Sequence, residues 1–261
     1  AQKNINLQVL SPLKILTTPL KEQKKIAEIL EAWDDAIATT EKLITAKQKL
    51  RRGLLQKIFN QGKVEANIDQ IKNGKQWKKS QLSEKFIRVT RKNDNDVDLA
   101  LTISGAEGLI RQEDFFKKRV ASKSLSGYYL LFKGEFAFNR SSMKGYPFGA
   151  IKRLDRYESG AVSTLYICFA MKDGSENNPD FYQYFFESGL FNREIYAIAQ
   201  EGARTHGLLN VNVKDFFSLY IYAPNFEEQS RIVDILSCID DEVSCLEALL
   251  IKTIGQKRGR M

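Results

Sequence analysis

Two glycine-flanked segments hold the side-chain types that contact nucleic-acid bases and phosphates. Residues 139–149 combine arginine, lysine, hydroxyl, amide and aromatic side chains, and residues 200–210 hold an arginine, a threonine and the single histidine of the chain. Arginine can bind both major-groove acceptors of guanine, and lysines and hydroxyls contact phosphates. The candidate contacts are Arg140, Ser141, Ser142, Lys144, Tyr146, Arg204, Thr205 and His206, with Lys123 from a basic cluster upstream.

A purely structural interpretation stays open for both segments. The first could be an ordinary polar hairpin, and Gly202 and Gly207 could serve only to allow a turn in which His206 bonds locally. If the contacts are correct, Arg204→Ala or Arg140→Ala relaxes or abolishes site selection without unfolding the domain. The expected loss is ~1–3 kcal/mol per base contact.

The charge distribution favours a polyanionic partner. The 261 residues contain 40 Lys and Arg against 32 Asp and Glu, a formal net charge of +8. Residues 42–63 hold seven basic residues and no acid, and the last ten residues hold four more. Nucleic acid is the commonest partner for such patches, although a basic run can also be a solvated helix face.

Motifs for catalysis are missing from the sequence. It has no Gly-Lys-Ser/Thr triplet to grip a nucleotide and no adjacent prolines such as surround the target base in amino-methyltransferases. No acid after Asp180 is followed two residues later by lysine, as in many metal-dependent nucleases. Three cysteines without a Cys-X-X-Cys pair fall short of a zinc site and favour a reducing cytoplasm, and no apolar run of ~20 residues predicts a membrane span.

A repeat separated by 206 residues organises the chain. Residues 22–30 return as residues 228–236, and residues 12–55 share 13 identities with residues 218–261 over 44 ungapped positions. Both copies predict a helix with a narrow apolar stripe of coiled-coil type. The first helix, over 22–59, would be a rod of roughly 57 Å. The two predicted stripes are Ile26, Leu30, Trp33, Ile37, Ile44, Leu54 and Ile58, and Ile232, Leu236, Ile239, Val243, Leu246 and Leu250.

Between the two copies the composition predicts a mixed globular domain of about 145 residues. Strands are predicted over 128–132, 135–138, 164–169 and 216–222, because these runs are rich in aromatic and apolar residues. One or two helices are predicted after Pro179. The fold class is therefore α+β, with one mixed domain and two long helices packed against each other.

These features resemble the DNA-specificity subunit of type I restriction-modification systems. The pattern Pro-Leu-X-Glu-Gln-X-X-Ile-Ala-X-Ile-Leu followed by Trp-Asp stands at Pro19–Leu30 and Trp33-Asp34, with a second version at Pro224–Asp241. Trp77–Leu82 is similar to the usual opening of a target recognition domain. The resemblance implies an antiparallel, coiled-coil-like spacer and five segments. They are a strand remnant of a preceding recognition domain over 1–18, a helical spacer over 19–62, a linker over 63–75, a recognition domain over 76–223 and a second spacer over 224–261.

The resemblance also implies a function and partners. A specificity subunit reads double-stranded DNA at a bipartite site and directs modification (methyltransferase) and restriction (translocase and endonuclease) subunits to it. It is not itself an enzyme; S-adenosylmethionine, ATP and Mg would be bound by the partner subunits. Full-length members carry two recognition domains, so this chain is interpreted as a fragment or a half-sized subunit that can form a homodimer through its helices. The alternative is a helical scaffold that binds no DNA.

Overall fold

The structure is a computed structural model that describes residues 10–67, 77–94, 97–105, 107–118, 120–122, 124–142, 145–173, 176–199 and 209–259. It divides into two compact units, Ala1–Lys49 with Asp241–Met261, and Leu50–Asp240. Both long helices contribute residues to both units. The helices are α1 (Leu20–Asn67), α2 (Leu82–Lys85), α3 (Gln112–Phe116), α4 (Pro179–Glu187), α5 (Leu190–Ile198), α6 (Val213–Ser218) and α7 (Phe226–Gly259).

Among the described residues of the second unit there are ten short strands. Four of them form an antiparallel sheet in the order β2-β9-β6-β7, and the others form three two-stranded antiparallel sheets, β1-β10, β3-β4 and β5-β8. The strands are β1 (Lys78–Gln81), β2 (Phe86–Val89), β3 (Leu101–Ser104), β4 (Gly108–Arg111), β5 (Tyr129–Phe132), β6 (Phe136–Asn139), β7 (Ala150–Arg153), β8 (Ser159–Val162), β9 (Ile167–Met171) and β10 (Tyr220–Ala223).

The first unit is an antiparallel pair of helical segments from α1 and α7. Lys47 forms an ion pair with Glu242 at 2.5 Å, while Asp34, earlier on α1, pairs with Lys257 near the end of α7. Ile44 is buried in this unit. The predicted antiparallel helix pair is therefore confirmed. Ile26 does not belong to the buried stripe as predicted, because half of its surface is exposed.

Helix α1 continues five residues into the predicted linker, since it ends at Asn67. Gly62 lies on α1 directly before these five residues. A Cβ atom at Gly62 would lie 2.4 Å from the indole ring of Trp77, so the glycine lets this buried ring lie directly on the helix. Gly62 is therefore a packing position within α1. Residues 68–75 of the predicted linker lie outside the described residues.

Aromatic side chains dominate the larger core of the second unit. Phe86 packs edge-to-face on Phe136 and Phe169, at centroid distances of 5.7 and 5.4 Å. Phe59 of α1 and Leu236 of α7 belong to the same buried cluster. A smaller buried cluster includes Leu101 of β3, Leu109 of β4 and Val162 of β8, so the hairpin formed by β3 and β4 contributes to it.

Local sequence explains most of these elements. Asn178 caps α4 by accepting a hydrogen bond from the Asp180 amide, with Pro179 at the first helical position. The predicted strand over 216–222 is wrong in its first half, because Asn212 caps α6 and residues 213–218 are helical. The predicted strand over 164–169 begins later, at Ile167. Residues 11–18 contain no strand, and among the described helices none has the length and apolarity to cross a membrane.

Candidate nucleic-acid interface

Arg140 follows β6 directly, and its guanidinium holds two backbone segments. Its Nε donates to the carbonyl oxygen of Leu165 at 2.9 Å, and its Nη1 donates to that of Val211 at 3.2 Å. The Arg140 carbonyl accepts from the Leu209 amide at 2.9 Å. Burial lowers the pKa of Arg140 from its ordinary value. This side chain therefore fixes Val211, directly after the second candidate segment, instead of standing free for a base.

The other described candidates of the first segment are Ser141, Ser142 and Tyr146, and they differ in exposure and in hydrogen bonding. Ser142 is exposed, while the Ser141 amide donates to the side chain of Asn139 at 3.0 Å. Tyr146 donates its hydroxyl to the Gly105 carbonyl at 2.8 Å, and a Cβ atom at Gly105 would lie 2.4 Å from its ring. Tyr146 thus joins this segment to the hairpin of β3 and β4.

The remaining candidates are Lys123, Lys144, Arg204, Thr205 and His206, and all five lie outside the described residues. The contacts proposed for them stay predictions. What the structure adds is the way in which the flanks of their segments are held. Gly149, at the end of the first segment, has φ +76°, and a Cβ atom there would lie 2.2 Å from the Asn139 carbonyl oxygen. Only glycine fits this close approach.

We expect Arg140→Ala to loosen the segment over 209–211 while the domain stays folded. The alanine removes two hydrogen bonds to main-chain carbonyls, which costs about 1–3 kcal/mol. Hydrogen exchange followed by mass spectrometry should show faster exchange in peptides covering Leu209–Val211. Arg153→Ala, which removes ion pairs to Asp155 and Asp180, is the control and should leave these peptides unchanged. Unchanged exchange in Arg140→Ala would contradict the positioning role.

A cluster of charges that are distant in sequence joins four elements of the second unit. Glu187 of α4 accepts from Arg51 of α1 at 2.8 Å and from Lys152 of β7 at 3.2 Å. Arg51 also pairs with Asp240 of α7, which accepts from the Tyr184 hydroxyl at 2.9 Å. No spacing in the sequence indicates this cluster, because its members are brought together only by the fold.

The ion pairs decide the protonation of Glu187. Burial by itself would raise the pKa of this carboxyl, but the charges of Lys152 and Arg51 and their hydrogen bonds outweigh it and hold the pKa below its ordinary value. Burial likewise lowers the pKa of Arg51, and the bonds to Asp240 and Glu187 reverse this, so that its pKa is raised. Both groups are therefore charged at neutral pH.

Acid is expected to destabilise the protein through Glu187. Its folded-state pKa is lowered, so the unfolded chain binds this proton more tightly, and the stabilisation is fully present above the unfolded-state pKa of about 4.3. The stabilisation is lost as the pH falls through the folded-state pKa. Urea unfolding between neutral pH and about pH 3 measures it. In Glu187→Gln the stability should depend less on pH over this range; an identical dependence in both proteins would exclude this role.

A cleft of about 190 Å³ lies beside this cluster and is lined by Tyr146, Lys152, Glu187 and Asn192, among others. The two charged groups that face it are already paired with each other. Within the described ranges no group of three or more His, Cys, Asp or Glu side chains is placed to hold a metal ion. The charged groups described in this cleft, Lys152 and Glu187, are therefore engaged with each other.

Comparison with known proteins decides between the interpretations of the repeat. A family model described as "Type I restriction modification DNA specificity domain" matches residues 1–47 and 58–254. The chain belongs to this specificity family. The match covers parts of both long helices as well as the mixed domain, so the repeated helices and the domain between them form one family pattern.

Two curated relatives of this chain, both from Methanocaldococcus jannaschii, are described as specificity subunits. The putative type I restriction enzyme MjaX specificity subunit is 39% identical over 83 residues, which are 32% of this chain and 18% of that protein. The type I restriction enzyme MjaVIII specificity subunit is 25% identical over 264 aligned residues, which cover 91% of this chain and 58% of that protein. The chain therefore corresponds to only part of each relative's length.

Solved structures show that the fold is shared within the specificity family. The HsdS subunit from Thermoanaerobacter tengcongensis superposes with a TM-score of 0.55 at 16% identity, covering 92% of this chain and 56% of that one. The type I restriction-modification S subunit from M. genitalium gives a TM-score of 0.53 at 15% identity, covering 98% and 64%. The α+β fold with two long helices, predicted from the repeat, is confirmed.

Proposed function

We propose that this chain is a sequence-specific DNA-recognition subunit of a type I restriction-modification complex. The observation that carries the proposal is the match of the specificity family model over both helical regions and the mixed domain. The net charge of +8 supports double-stranded DNA as the ligand. Acting on DNA in a bacterial or archaeal type of defence system, the protein is expected in the cytoplasm.

In this proposal the mixed domain reads bases and the helices organise the complex. Arg140 and Gly149 hold the flanks of the two candidate segments, and the segments supply the base contacts. Arg204, Thr205 and His206 are proposed as base contacts, with Lys144 and Lys123 at phosphates. Modification subunits and a restriction subunit are the proposed protein partners. Methyl transfer and cleavage belong to those partners, which would hold S-adenosylmethionine, ATP and Mg.

In this proposal a second copy of the chain supplies the mixed domain that reads the other half of a bipartite site. Within the first unit, the apolar side chains of Ile26, Ile29, Leu43 and Leu249 are each about half exposed. Burial of such side chains between two copies would release this surface from water. A two-fold symmetric pair would then carry two mixed domains and read a palindromic, interrupted site.

Affinity selection from a random duplex library tests the function. The chain is used together with its modification subunit, and the modification subunit alone is the control. We expect enrichment of a two-part motif only when the chain is present, with two copies per complex in native mass spectrometry. A single short half-site with one copy would contradict the dimer but retain DNA recognition. No enrichment at all would contradict DNA recognition and favour the scaffold alternative.

A further inference from the structure

An exposed aromatic and basic surface lies outside both candidate segments, and we call it the α3 tip. Phe115 and Phe116 are 44% and 43% exposed, with ring centroids 4.8 Å apart at an interplanar angle of 83°. Helix α3 buries none of its residues. Three exposed cations flank the rings, and the α3 tip therefore comprises Arg111, Phe115, Phe116, Lys117 and Lys118.

The base of the α3 tip is firmly held, so its exposure is not a sign of a loose segment. Leu109 and Ile110 of β4, which precede the α3 tip, are 2% and 3% exposed. The Gln112 amide donates to the Ala100 carbonyl at 2.8 Å. Lys117 ends the helix with φ 55°, a left-handed conformation that is uncommon for a lysine. The fold thus presents two phenyl rings to solvent on a fixed support.

Two adjacent half-exposed phenylalanine rings form an apolar surface, and burying that surface against a ligand would be favourable. The neighbouring charges indicate which ligand. Lysine is depleted from protein–protein interfaces, whereas phenylalanine beside lysine and arginine suits a nucleic acid, whose bases contact the rings and whose phosphates pair with the cations. Two acids, Glu113 and Asp114, occupy the first turn of α3, where the helix N-terminus favours negative charge. The cations Lys117 and Lys118 follow the rings directly in sequence, at the opposite end of the helix.

We propose that the α3 tip is a second DNA-contacting element, in which Phe115 and Phe116 pack against an opened base step. Arg111, Lys117 and Lys118 contact the phosphates on either side. This inference rests on the proposed function and extends it, because base reading would then involve contacts from the hairpin of β3 and β4 as well as from the two glycine-flanked segments. Tyr146 connects the two regions through its hydrogen bond to Gly105.

The aromatic part is tested with Phe115→Ala/Phe116→Ala in the complex with the modification subunit. The probe is the duplex enriched by the selection described above, carrying 2-aminopurine at successive steps. We expect wild-type protein to raise 2-aminopurine fluorescence at one step, since an opened step unstacks the probe. The double variant should lack this rise and bind at least about tenfold more weakly. Phe226→Ala, which removes another half-exposed phenylalanine, is the control and should behave as wild type.

The basic part is tested with Lys117→Gln/Lys118→Gln, whose exposed positions avoid effects on folding. Loss of two phosphate contacts should reduce the slope of log affinity against log salt by about 2, whereas the phenylalanine variant should leave this slope unchanged. Wild-type affinity and salt slope in both double variants would overturn the α3 tip while leaving the proposed function intact. Failure of the wild-type complex to select any duplex would overturn both.

Discussion

Glu187→Gln is expected to lower the free energy of unfolding by about 3–5 kcal/mol. The glutamine keeps the shape of the side chain but removes the charge that pairs with Arg51 and Lys152 at 2.8 and 3.2 Å. Lys152 is buried, with a side chain only 9% exposed, so its ammonium would remain in a poorly solvated place with its carboxylate partner removed. Urea denaturation at neutral pH measures the change.

Glu158→Gln is the matched control for Glu187→Gln. Glu158 pairs with Lys133 at 2.8 Å, a distance like that in the buried cluster, but both side chains are largely exposed. Water and salt screen such a pair, so we expect almost no change in stability. Equal effects of the two substitutions would show that burial does not set the strength of the Glu187 ion pairs.

Phe59→Ala is expected to lower the free energy of unfolding by about 3–5 kcal/mol. The Phe59 ring is fully buried and contacts the rings of Trp77, Phe181 and Phe185 at centroid distances of 6.0, 5.3 and 5.7 Å. Alanine would leave a cavity among these rings that the rigid core could fill only in part. A thermal or urea melt followed by Trp77 fluorescence measures the loss, because the indole borders the cavity.

Leu50→Ala on the same helix is the control for Phe59→Ala. Leu50 is 49% exposed, so its truncation removes little buried surface. We expect its effect to be within a few tenths of a kcal/mol. A small loss in Phe59→Ala, close to that of Leu50→Ala, would mean that the aromatic core around α1 repacks without a cavity.

The long helices could be predicted from the sequence because both carry a periodic stripe and the second repeats the first. The pattern failed at Ile26, whose position in the stripe is correct but whose side chain is half exposed. The predicted strand over 216–222 failed at Phe216 and Phe217. Both residues favour strands by propensity but lie in α6 after the Asn212 cap. A hydrogen bond from a side chain to the backbone outweighs propensity over such a short segment.

The candidate site was predictable in composition but not in geometry. The glycines and basic residues identified the two segments. The positive φ of Gly149 and its close approach to the Asn139 carbonyl oxygen are what a glycine in a turn predicts. That Arg140 bonds to the carbonyls of Leu165 and Val211 could not be predicted, because these partners are distant in sequence and any residue type offers a carbonyl. The exposure of Phe115 and Phe116 could not be predicted either, since adjacent phenylalanines usually indicate a buried core.

The exposed cations of the α3 tip and the buried ion pairs of Glu187 should respond differently to ionic strength. Phosphate contacts by exposed lysines are weakened steeply by added salt, because bound counterions are released when they form. The pairs of Glu187 with Arg51 and Lys152 are largely withdrawn from solvent, where mobile ions screen them little. Under the proposed function, concentrated salt should therefore release the protein from DNA while the ion pairs that link α1, α4 and β7 stay formed, so that the protein stays folded when it is off DNA.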